Sequence, residues 1–249
     1  MHSKESKMLA DQIAEWIAER VSAAGAQGIV TGLSGGVDSA VVAVLAQRAV
    51  GNNLLSLLMP CHSQAVDREY AQLLADAFDI ETITIDLGPA YDALIAALPP
   101  GPDLAQANLK PRLRMATLYF IANSRNYLVA GTGNKSELMA GYFTKWGDGG
   151  CDLLPLGGLF KTLVWDLACE LGIPDEIISR PPTAGLWPGQ TDEDEMGITY
   201  AELDATLAAI ERGDTYSCEP ATLVKVQEMI ARSAHKRTMP PMFTPAYEG

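Results

Sequence analysis

The stretch Gly32-Leu-Ser-Gly-Gly-Val-Asp-Ser39 joins two segments of different character. The short apolar run before it, Gly28 to Leu33, is typical of a buried strand, and Val37 to Val50 is typical of a helix. The two internal glycines have no Cβ, so the backbone can approach an anion closely. The helix that follows directs free N–H groups and a positive dipole end toward the same place. This stretch therefore predicts a phosphate-binding turn between a strand and a helix.

Asp38 lies inside this phosphate-binding turn, where a carboxylate would repel phosphate. Its presence is explained by Mg²⁺, which binds carboxylates and phosphates together. The turn is not a Walker A loop, because no lysine follows the glycines, and it does not have the dinucleotide-binding GxGxxG spacing. A tight turn with an Asp/Ser cap is the structural alternative. The full SGGxDS pattern between a strand and a helix favours nucleotide binding.

The segments that follow the turn alternate between strand and helix patterns. Leu54 to Met59 is a continuous apolar run, Glu81 to Leu87 alternates, and Tyr127 to Ala130 is another apolar run. A long helix is predicted over Leu104 to Asn123. Alternation of this kind predicts a doubly wound α/β fold with a parallel sheet and right-handed crossovers. After Gly141 a glycine-rich stretch leads into helices, so we expect residues 1–249 to form one domain with a helical C-terminal part.

Composition limits the classes of function. The chain has 249 residues, 48% of them hydrophobic, and a formal net charge of −13. The acidity disfavours general nucleic-acid binding, which needs a basic surface. No apolar run approaches the roughly 18 residues of a membrane span, and Met1 to Lys7 has no apolar leader segment, so we expect a cytoplasmic protein that acts on neither membranes nor nucleic acids. The four cysteines lack CxxC spacing and favour reduced thiols.

Further motifs follow in a fixed order along the chain. They are Asn108-Leu-Lys-Pro-Arg-Leu-Arg-Met115, Gly131-Thr-Gly-Asn-Lys-Ser-Glu137, Gly141-Tyr-Phe-Thr-Lys-Trp-Gly-Asp-Gly-Gly-Cys-Asp152, Leu153-Leu-Pro-Leu-Gly-Gly-Leu-Phe-Lys161, Pro182-Thr-Ala184 and His235-Lys-Arg237. The phosphate-binding turn resembles the pyrophosphate loop of the N-type ATP pyrophosphatases. The whole set, from Gly32 to Arg237, is similar to the NAD synthetase family.

The resemblance implies a fold and an activity. The implied fold is adenine-nucleotide alpha hydrolase-like, with five parallel strands of which the first and fourth are neighbours. The implied ligase reaction amidates deamido-NAD to NAD with ATP and ammonia, through an adenylated intermediate, and releases AMP and pyrophosphate. It is the last step of NAD biosynthesis. Relatives form homodimers that bind deamido-NAD at the subunit interface. A chain of this length leaves no room for a glutaminase domain, so the expected nitrogen donor is ammonia, either free or from a separate subunit.

The resemblance also implies roles for individual residues. The implied ATP-binding residues are Gly32, Leu33, Ser34, Gly35, Gly36, Val37, Asp38, Ser39, Thr132, Lys161 and Thr183. The implied deamido-NAD-binding residues are Arg112, Lys145, Asp152, His235 and Lys236. The implied Mg²⁺ ligands are Asp38 and Glu137, and the implied catalytic residues are Asp148, Lys161 and Ser34. Asp148 would partner the incoming ammonium.

Reasoning from the residues themselves supports part of this set. Asp38 and Glu137 each begin a helix after a strand, so neighbouring strands would bring both carboxylates to one cleft, where a metal ion assists in-line displacement. Other residues have simpler explanations. Arg112 on a helix is often a solvated side chain, Asp148 in a glycine-rich loop often serves a turn, and His235 beside two cations is typical of a basic helix end.

Two positions depart from the family pattern. Relatives often have Gly-Thr-Asp-His-Ala-Ala-Glu where this chain has the motif that ends at Glu137, and an acidic residue after Pro-Thr-Ala where this chain has Gly185. Two other functions remain as alternatives. One is another amidating or thiolating pyrophosphatase, such as the ATP domain of a GMP synthetase, although its substrate loop would differ. The other is a non-catalytic nucleotide sensor, which the acidic pair makes less fitting.

Overall fold

A computed structural model describes residues 3–187 and 189–245 of the chain. Within these residues the protein has one parallel four-stranded sheet in the order β3-β2-β1-β4. The strands are β1 (Gly28–Gly32), β2 (Leu54–Leu58), β3 (Thr82–Thr84) and β4 (Tyr127–Ala130). All strands being parallel confirms the predicted α/β fold, because each connection crosses over through helical structure.

Helices dominate the rest of the described chain. They are α1 (Ser3–Ala23), α2 (Val37–Val50), α3 (Ala65–Phe78), α4 (Gly88–Ala97), α5 (Asp103–Ala107), α6 (Leu109–Arg125), α7 (Lys135–Ala140), α8 (Lys161–Leu171), α9 (Asp175–Ile178), α10 (Asp192–Met196), α11 (Tyr200–Arg212) and α12 (Pro220–Ser233). Short 3₁₀ turns occupy Gly51–Asn53 and Ala234–Lys236. None of the described helices is long and apolar enough to cross a lipid bilayer.

Both faces of the sheet are covered, as a doubly wound fold requires. Ile29 of β1 packs into a core with α1, α2 and α8, whereas its neighbour Val30 points to a second core shared with β2, β4 and α6. Successive residues of a strand point to opposite faces, so an apolar strand such as this one serves two cores at once. A third cluster, around Tyr200 and Leu203, joins α11 and α12 to α7 and forms the predicted helical C-terminal part.

The neighbouring of the first and fourth strands is confirmed. Thr31 of β1 is in register with Ala130 of β4, and its hydroxyl donates to the Ala130 carbonyl at 2.9 Å. β2 lies on the other side of β1, and the chain returns to β4 across the opposite face of the sheet: α2 and α3 pack in one core and α6 in the other. This is a topological switch point, where ligands bind at the carboxyl ends of parallel strands.

The fifth strand is not confirmed. Beyond β4 the described chain adds a single parallel bridge, between Ala130 and Leu153. Pro155 follows almost at once and has no N–H to donate, and the chain then turns, with the Gly157 amide donating to the Leu154 carbonyl. The bridge therefore cannot extend into a strand.

Two predicted element boundaries were wrong. The helix predicted over Leu104 to Asn123 is two helices, α5 and α6, separated at Asn108. Pro111 is the third residue of α6, where a missing N–H costs no helical hydrogen bond. The strand predicted over Glu81 to Leu87 is limited to β3, because the chain turns into α4 at Gly88.

Candidate active site

A cavity of about 560 Å³ opens at the carboxyl ends of the strands. Its walls include the turn after β1, the segment after β2 and the turn after β4, together with parts of α6, α8 and the chain around Thr183. A volume of this size is in the range of small-molecule sites. The cavity therefore lies where the strand order predicted a ligand site.

The turn after β1 is fixed by its own two serines. The Ser34 and Ser39 hydroxyls lie 3.0 Å apart, and the Ser39 hydroxyl donates to the Gly36 carbonyl at 2.8 Å. Gly35 has φ 81°, and a Cβ there would lie 2.4 Å from the Asp67 carbonyl oxygen. Only glycine fits this position, which leaves the turn's backbone facing the cavity at the N-terminus of α2.

Asn134 connects the two acidic residues of the site. Its side-chain amide donates to Asp38 Oδ1 at 3.0 Å, and its Oδ1 accepts from the Glu137 amide, also at 3.0 Å. The Glu137 carboxylate in turn accepts from the backbone N–H of Asn134 at 3.1 Å. This reciprocal pair is a capping box at the start of α7. The departure from the family pattern at this position thus supplies a bridge between the turns after β1 and β4.

Lys161 enters the same cluster from the first position of α8. Its side chain is only 1% exposed, and its ammonium pairs with Asp38. Burial alone would lower the pKa of Lys161, but Asp38 and Glu137 outweigh burial and raise it. The lysine is therefore a buried, charged cation held beside the phosphate-binding turn.

Glu137 has a strongly raised pKa. Burial is the largest cause and the negative charge of Asp38 the second, and together they raise the pKa of Glu137 to about 8 although Lys161 opposes them. This carboxyl group therefore retains its proton to a higher pH than an ordinary glutamate does. A cation near it would favour the ionised form.

The acidic pair suits Mg²⁺ rather than a metal held by protein ligands alone. No group of three or more potential His, Cys, Asp or Glu ligands occurs among residues 3–187 and 189–245. Mg²⁺ in nucleotide sites commonly uses one or two carboxylates and takes its other ligands from phosphates and water. Asp38 already faces a cation, the Lys161 ammonium. The residues present therefore fit a metal that arrives with a nucleotide.

The predicted ATP-binding residues converge on the cavity. Those that line it are Gly32, Leu33, Ser34, Gly36, Val37, Asp38, Ser39, Thr132, Lys161 and Thr183. Gly35 lies behind them, and its carbonyl accepts from Arg180 at 3.5 Å. Near Thr183, Gly185 has φ 62°, a left-handed conformation that disfavours the acidic side chain of relatives.

The predicted deamido-NAD residues are more dispersed. Lys236 lines the cavity and donates to the carbonyls of Gly141 and Phe143, each at 2.7 Å. Lys145, in contrast, donates to the carbonyl of His235 outside the cavity. Lys145 and Lys236 therefore connect the 141–148 loop to the 3₁₀ turn that follows α12.

Arg112 and Asp152 do not line the cavity of this single chain. Arg112 is exposed, and its guanidinium lies 3.4 Å from the Lys145 carbonyl. Asp152 accepts from the Tyr119 hydroxyl at 2.9 Å and from the Val129 amide at 2.8 Å. Asp152 therefore fastens β4 to α6 in this structure.

Asp148 lies at the cavity wall, as the catalytic prediction requires, but it also stabilises its own loop. The Thr144 amide donates to Asp148 Oδ1 at 2.9 Å. The prediction that Asp148 partners ammonium and the alternative that it serves the turn are both compatible with this geometry.

Sequence reasoning missed several cavity residues. Arg180 pairs with Asp67 and lies over the Tyr70 ring, 5.4 Å from its centroid. Asp192 is buried and bonded to Tyr200. Neither position belongs to a short motif, so only the fold brings them to the site. Asn134 follows a glycine and lies three residues before Glu137 at the start of a helix. This capping-box spacing could have identified it from the sequence.

Asn134 gives a direct test of this geometry. Asn134→Ala should lower the free energy of unfolding by about 1–2 kcal/mol, because α7 loses its cap, and should also lower activity. Asn134→Ser keeps an oxygen for the cap but no amide for Asp38, so stability should change little while activity still falls. Urea unfolding and steady-state kinetics of both variants separate these effects. Equal activity in Asn134→Ser and the unsubstituted protein would show that the Asp38 contact is dispensable.

Comparison with known proteins places the chain in a family. A sequence model of the NAD synthase family matches residues 9–240. An NH₃-dependent NAD⁺ synthetase from Carboxydothermus hydrogenoformans is 48% identical over 92% of this chain and 94% of its own. Among solved structures, an NMN synthetase from Francisella tularensis is 38% identical, with a TM-score of 0.88 over 97% of this chain and 99% of its own. An NH₃-dependent NAD synthetase from Campylobacter jejuni is 31% identical, with a TM-score of 0.84 over 96% and 99%. The protein belongs to the NAD synthase family.

Proposed function

We propose that this protein catalyses the ATP-dependent amidation of deamido-NAD to NAD with ammonia, releasing AMP and pyrophosphate. The observation that carries the proposal is the convergence of Asp38, Glu137 and Lys161 on one cavity beside the phosphate-binding turn. The family membership and the named activity of the relatives support the same reaction. The three residues suit cleavage between the α- and β-phosphates of ATP, and the later motifs suit the dinucleotide.

The first step is adenylation of the nicotinate carboxylate. In our mechanism, backbone amides at the start of α2 and the hydroxyls of Ser34 and Ser39 hold the phosphates. The carboxylate oxygen attacks the α-phosphorus, and the bond to the pyrophosphate oxygen breaks. Lys161 offsets the negative charge that develops on the departing pyrophosphate. Mg²⁺, held by Asp38 and Glu137, would neutralise phosphate charge.

The second step is attack of ammonia on the acyl carbon of the adenylate, which releases AMP. Ammonium must lose a proton before it becomes a nucleophile, and among the carboxylates that line the cavity we assign Asp148 to accept it. The nearby Lys236 donates hydrogen bonds to the carbonyls of Gly141 and Phe143, in the same loop as Asp148. It keeps the loop that carries Asp148 in place.

We assign the dinucleotide itself to Arg112, Lys145, Asp152, His235 and Lys236, at a subunit interface. Exposed Arg112 and His235 lie at the surface of the single chain, which supports a site completed by a second copy. On α6, Phe120 is 71% exposed, and on α5 Leu104 is 57% exposed. Homodimer interfaces are more apolar than the rest of a protein surface and are enriched in aromatic side chains. A homodimer through α5 and α6 is therefore part of the proposal.

Phe120→Glu tests the proposed dimer. A charge at the centre of an apolar interface should weaken self-association by about a hundredfold or more, because the carboxylate loses its hydration. Sedimentation equilibrium over a range of concentrations measures this directly. The control is Phe243→Glu, since Phe243 is also exposed but belongs to neither α5 nor α6. A dimer of unchanged affinity in Phe120→Glu would place the interface elsewhere.

We also propose that residues 1–249 act as a single synthetase domain in the cytoplasm and use free ammonia. The named ammonia dependence of the relatives supports the nitrogen source. The four cysteines are free thiols in this structure, which is compatible with a reducing compartment.

The experiment that tests the function supplies ATP, Mg²⁺ and ammonium with one of three acids: deamido-NAD, nicotinate mononucleotide or XMP. We expect NAD and AMP in equal amounts from the first acid. NMN as the preferred product would instead align the chain with the NMN synthetase that it resembles. Amidation of XMP would favour a GMP synthetase, and ATP binding without AMP release would favour a nucleotide sensor. ADP as the product would overturn the adenylation.

A further inference from the structure

Asp192 is a buried carboxylate with an unmatched oxygen. It begins α10, is 4% exposed and lines the cavity. The Tyr200 hydroxyl donates to Asp192 Oδ2 at 2.9 Å, but Oδ1 has no hydrogen-bond partner among the described residues. The other phenol nearby, Tyr142, donates to Glu195 at 2.8 Å. Burial raises the pKa of Asp192, and the interaction of Tyr142 with that carboxyl group lowers this pKa by less. A buried acceptor without a donor is costly, so its retention calls for an explanation.

Lys161 has the complementary excess of donors. Its ammonium carries three N–H groups, of which Asp38 accepts one. Nζ also lies near two aromatic rings, 5.2 Å from the centroid of the Tyr200 ring and 5.8 Å from that of Trp165. Tyr200 therefore touches both groups, with its ring toward Lys161 and its hydroxyl on Asp192.

Electrostatics couples the same groups. Burial lowers the pKa of Lys161, and the charges of Asp38, Glu137 and Asp192 together raise it. Asp192 is also held in place by its backbone, because its amide donates to the Pro182 carbonyl at 3.0 Å. Asp192 is therefore a fixed carboxylate whose charge acts on the Lys161 ammonium.

The proposed function makes two incompatible demands on Asp38. Asp38 pairs with Lys161 in this structure, whereas Mg²⁺ binding requires the same carboxylate. Glu137 cannot take the ammonium, since it is the other proposed metal ligand. We propose that Asp192, anchored by Tyr200, is a positioning residue that accepts the Lys161 ammonium when Asp38 turns to the divalent cation. The inference rests on the proposed function only for the presence of that cation and of ATP.

If Lys161 passes from Asp38 to Asp192 when the metal binds, loss of the Asp192 charge should lower the affinity of the site for the metal. Without the Asp192 charge, the ammonium has no second anion and competes with the metal for Asp38. The probe is Mn²⁺, whose binding to the protein with α,β-methylene-ATP is followed by electron paramagnetic resonance. We expect Asp192→Asn to raise the dissociation constant of Mn²⁺ about tenfold, and Tyr200→Phe to raise it by a smaller factor. Asp194→Asn removes the same charge from an exposed position on α10 and should leave binding unchanged.

A double-mutant cycle with Lys161→Met separates positioning from a general loss of negative charge. If Asp192 acts through Lys161, adding Asp192→Asn to Lys161→Met should change Mn²⁺ binding by less than about twofold. A tenfold effect that persists in the Lys161→Met background would overturn the proposal, because the carboxylate would then attract the metal directly. Unchanged binding in Asp192→Asn would overturn it as well.

The folding of each variant and the formation of NAD by the unsubstituted protein are measured together with Mn²⁺ binding. If Asp192→Asn does not fold, the cycle is run with Tyr200→Phe, which keeps the ring and removes only the hydroxyl. Tyr200→Phe that binds Mn²⁺ like the unsubstituted protein would then overturn the proposal. Normal Mn²⁺ binding without NAD formation from deamido-NAD overturns the substrate assignment alone. Absence of Mn²⁺ binding in the unsubstituted protein overturns both.

Discussion

Lys161→Met should lower kcat for NAD formation by about a thousandfold, the largest loss expected from a single substitution that leaves the fold intact. Lys161 is the buried cation of the cavity, and methionine fills a similar volume without the charge. Because the charge on the leaving pyrophosphate grows only in the transition state, kcat should fall far more than the KM for deamido-NAD rises. Steady-state kinetics with AMP detection measures both.

The matched control is Lys135→Met. Lys135 lies on the neighbouring helix α7, and its half-buried ammonium pairs with the exposed Glu211 at 2.6 Å. Ion pairs with an exposed partner contribute little, so kcat should remain within about twofold. Comparable losses in Lys135→Met and Lys161→Met would mean that the fold, and not the buried charge, limits activity.

Glu137→Gln should strongly lower activity and at the same time stabilise the metal-free protein. The amide keeps the size and the acceptor oxygen for the Asn134 amide, but it cannot supply a negative charge to a metal. We expect kcat to fall by about a hundredfold or more, since one of two proposed ligands is lost. The same kinetic assay at several Mg²⁺ concentrations measures the loss.

The gain in stability follows from the raised pKa of Glu137. Burial and Asp38 raise that pKa from 4.5 to about 8. Between these values the unfolded chain has released the proton and the folded protein retains it, so this group lowers stability as pH rises. Glutamine removes the effect. In the presence of EDTA, Glu137→Gln should be more stable by about 1–2 kcal/mol at pH 8 and nearly unchanged at pH 4.5.

Urea unfolding at both pH values checks this prediction. The exposed Glu176 of α9 provides the control, since Glu176→Gln should change stability little at either pH. A Glu137→Gln variant that is less stable than the unsubstituted protein at pH 8 would mean that the ionised carboxylate stabilises the cavity without a metal.

The order of the strands was predictable, but the ends of the elements were less so. The alternation of apolar runs and helices predicted only a parallel sheet, whereas the neighbouring of the first and fourth strands was implied by the family resemblance. The break at Asn108 was hidden, because the apolar pattern continues across α5 and α6. The short β3 was overestimated because alternation continues to Leu87, whereas registered pairing ends at Thr84 and is followed by single bonds, such as that from the Leu87 amide to the Pro60 carbonyl.

The site was predictable where a motif is local. Asp38, Glu137 and Lys161 were each named from sequence, and the fold brings them to one cavity. Asp192 and Arg180 were not, since they come from the segments around α9 and α10, and their contacts depend on how these pack against α2, α3 and α11. Residues assembled by tertiary packing leave no pattern within a short stretch of sequence.

Transfer of ¹⁸O decides whether the carboxylate is adenylated. Deamido-NAD labelled with ¹⁸O in its nicotinate carboxylate is converted with ATP, Mg²⁺ and ammonium, and the AMP is analysed by mass spectrometry. Attack of the carboxylate on the α-phosphorus places one ¹⁸O in each AMP, while pyrophosphate remains unlabelled. AMP without ¹⁸O, or label found in inorganic phosphate with ADP as the product, is incompatible with adenylation in the cavity around Asp38, Glu137 and Lys161.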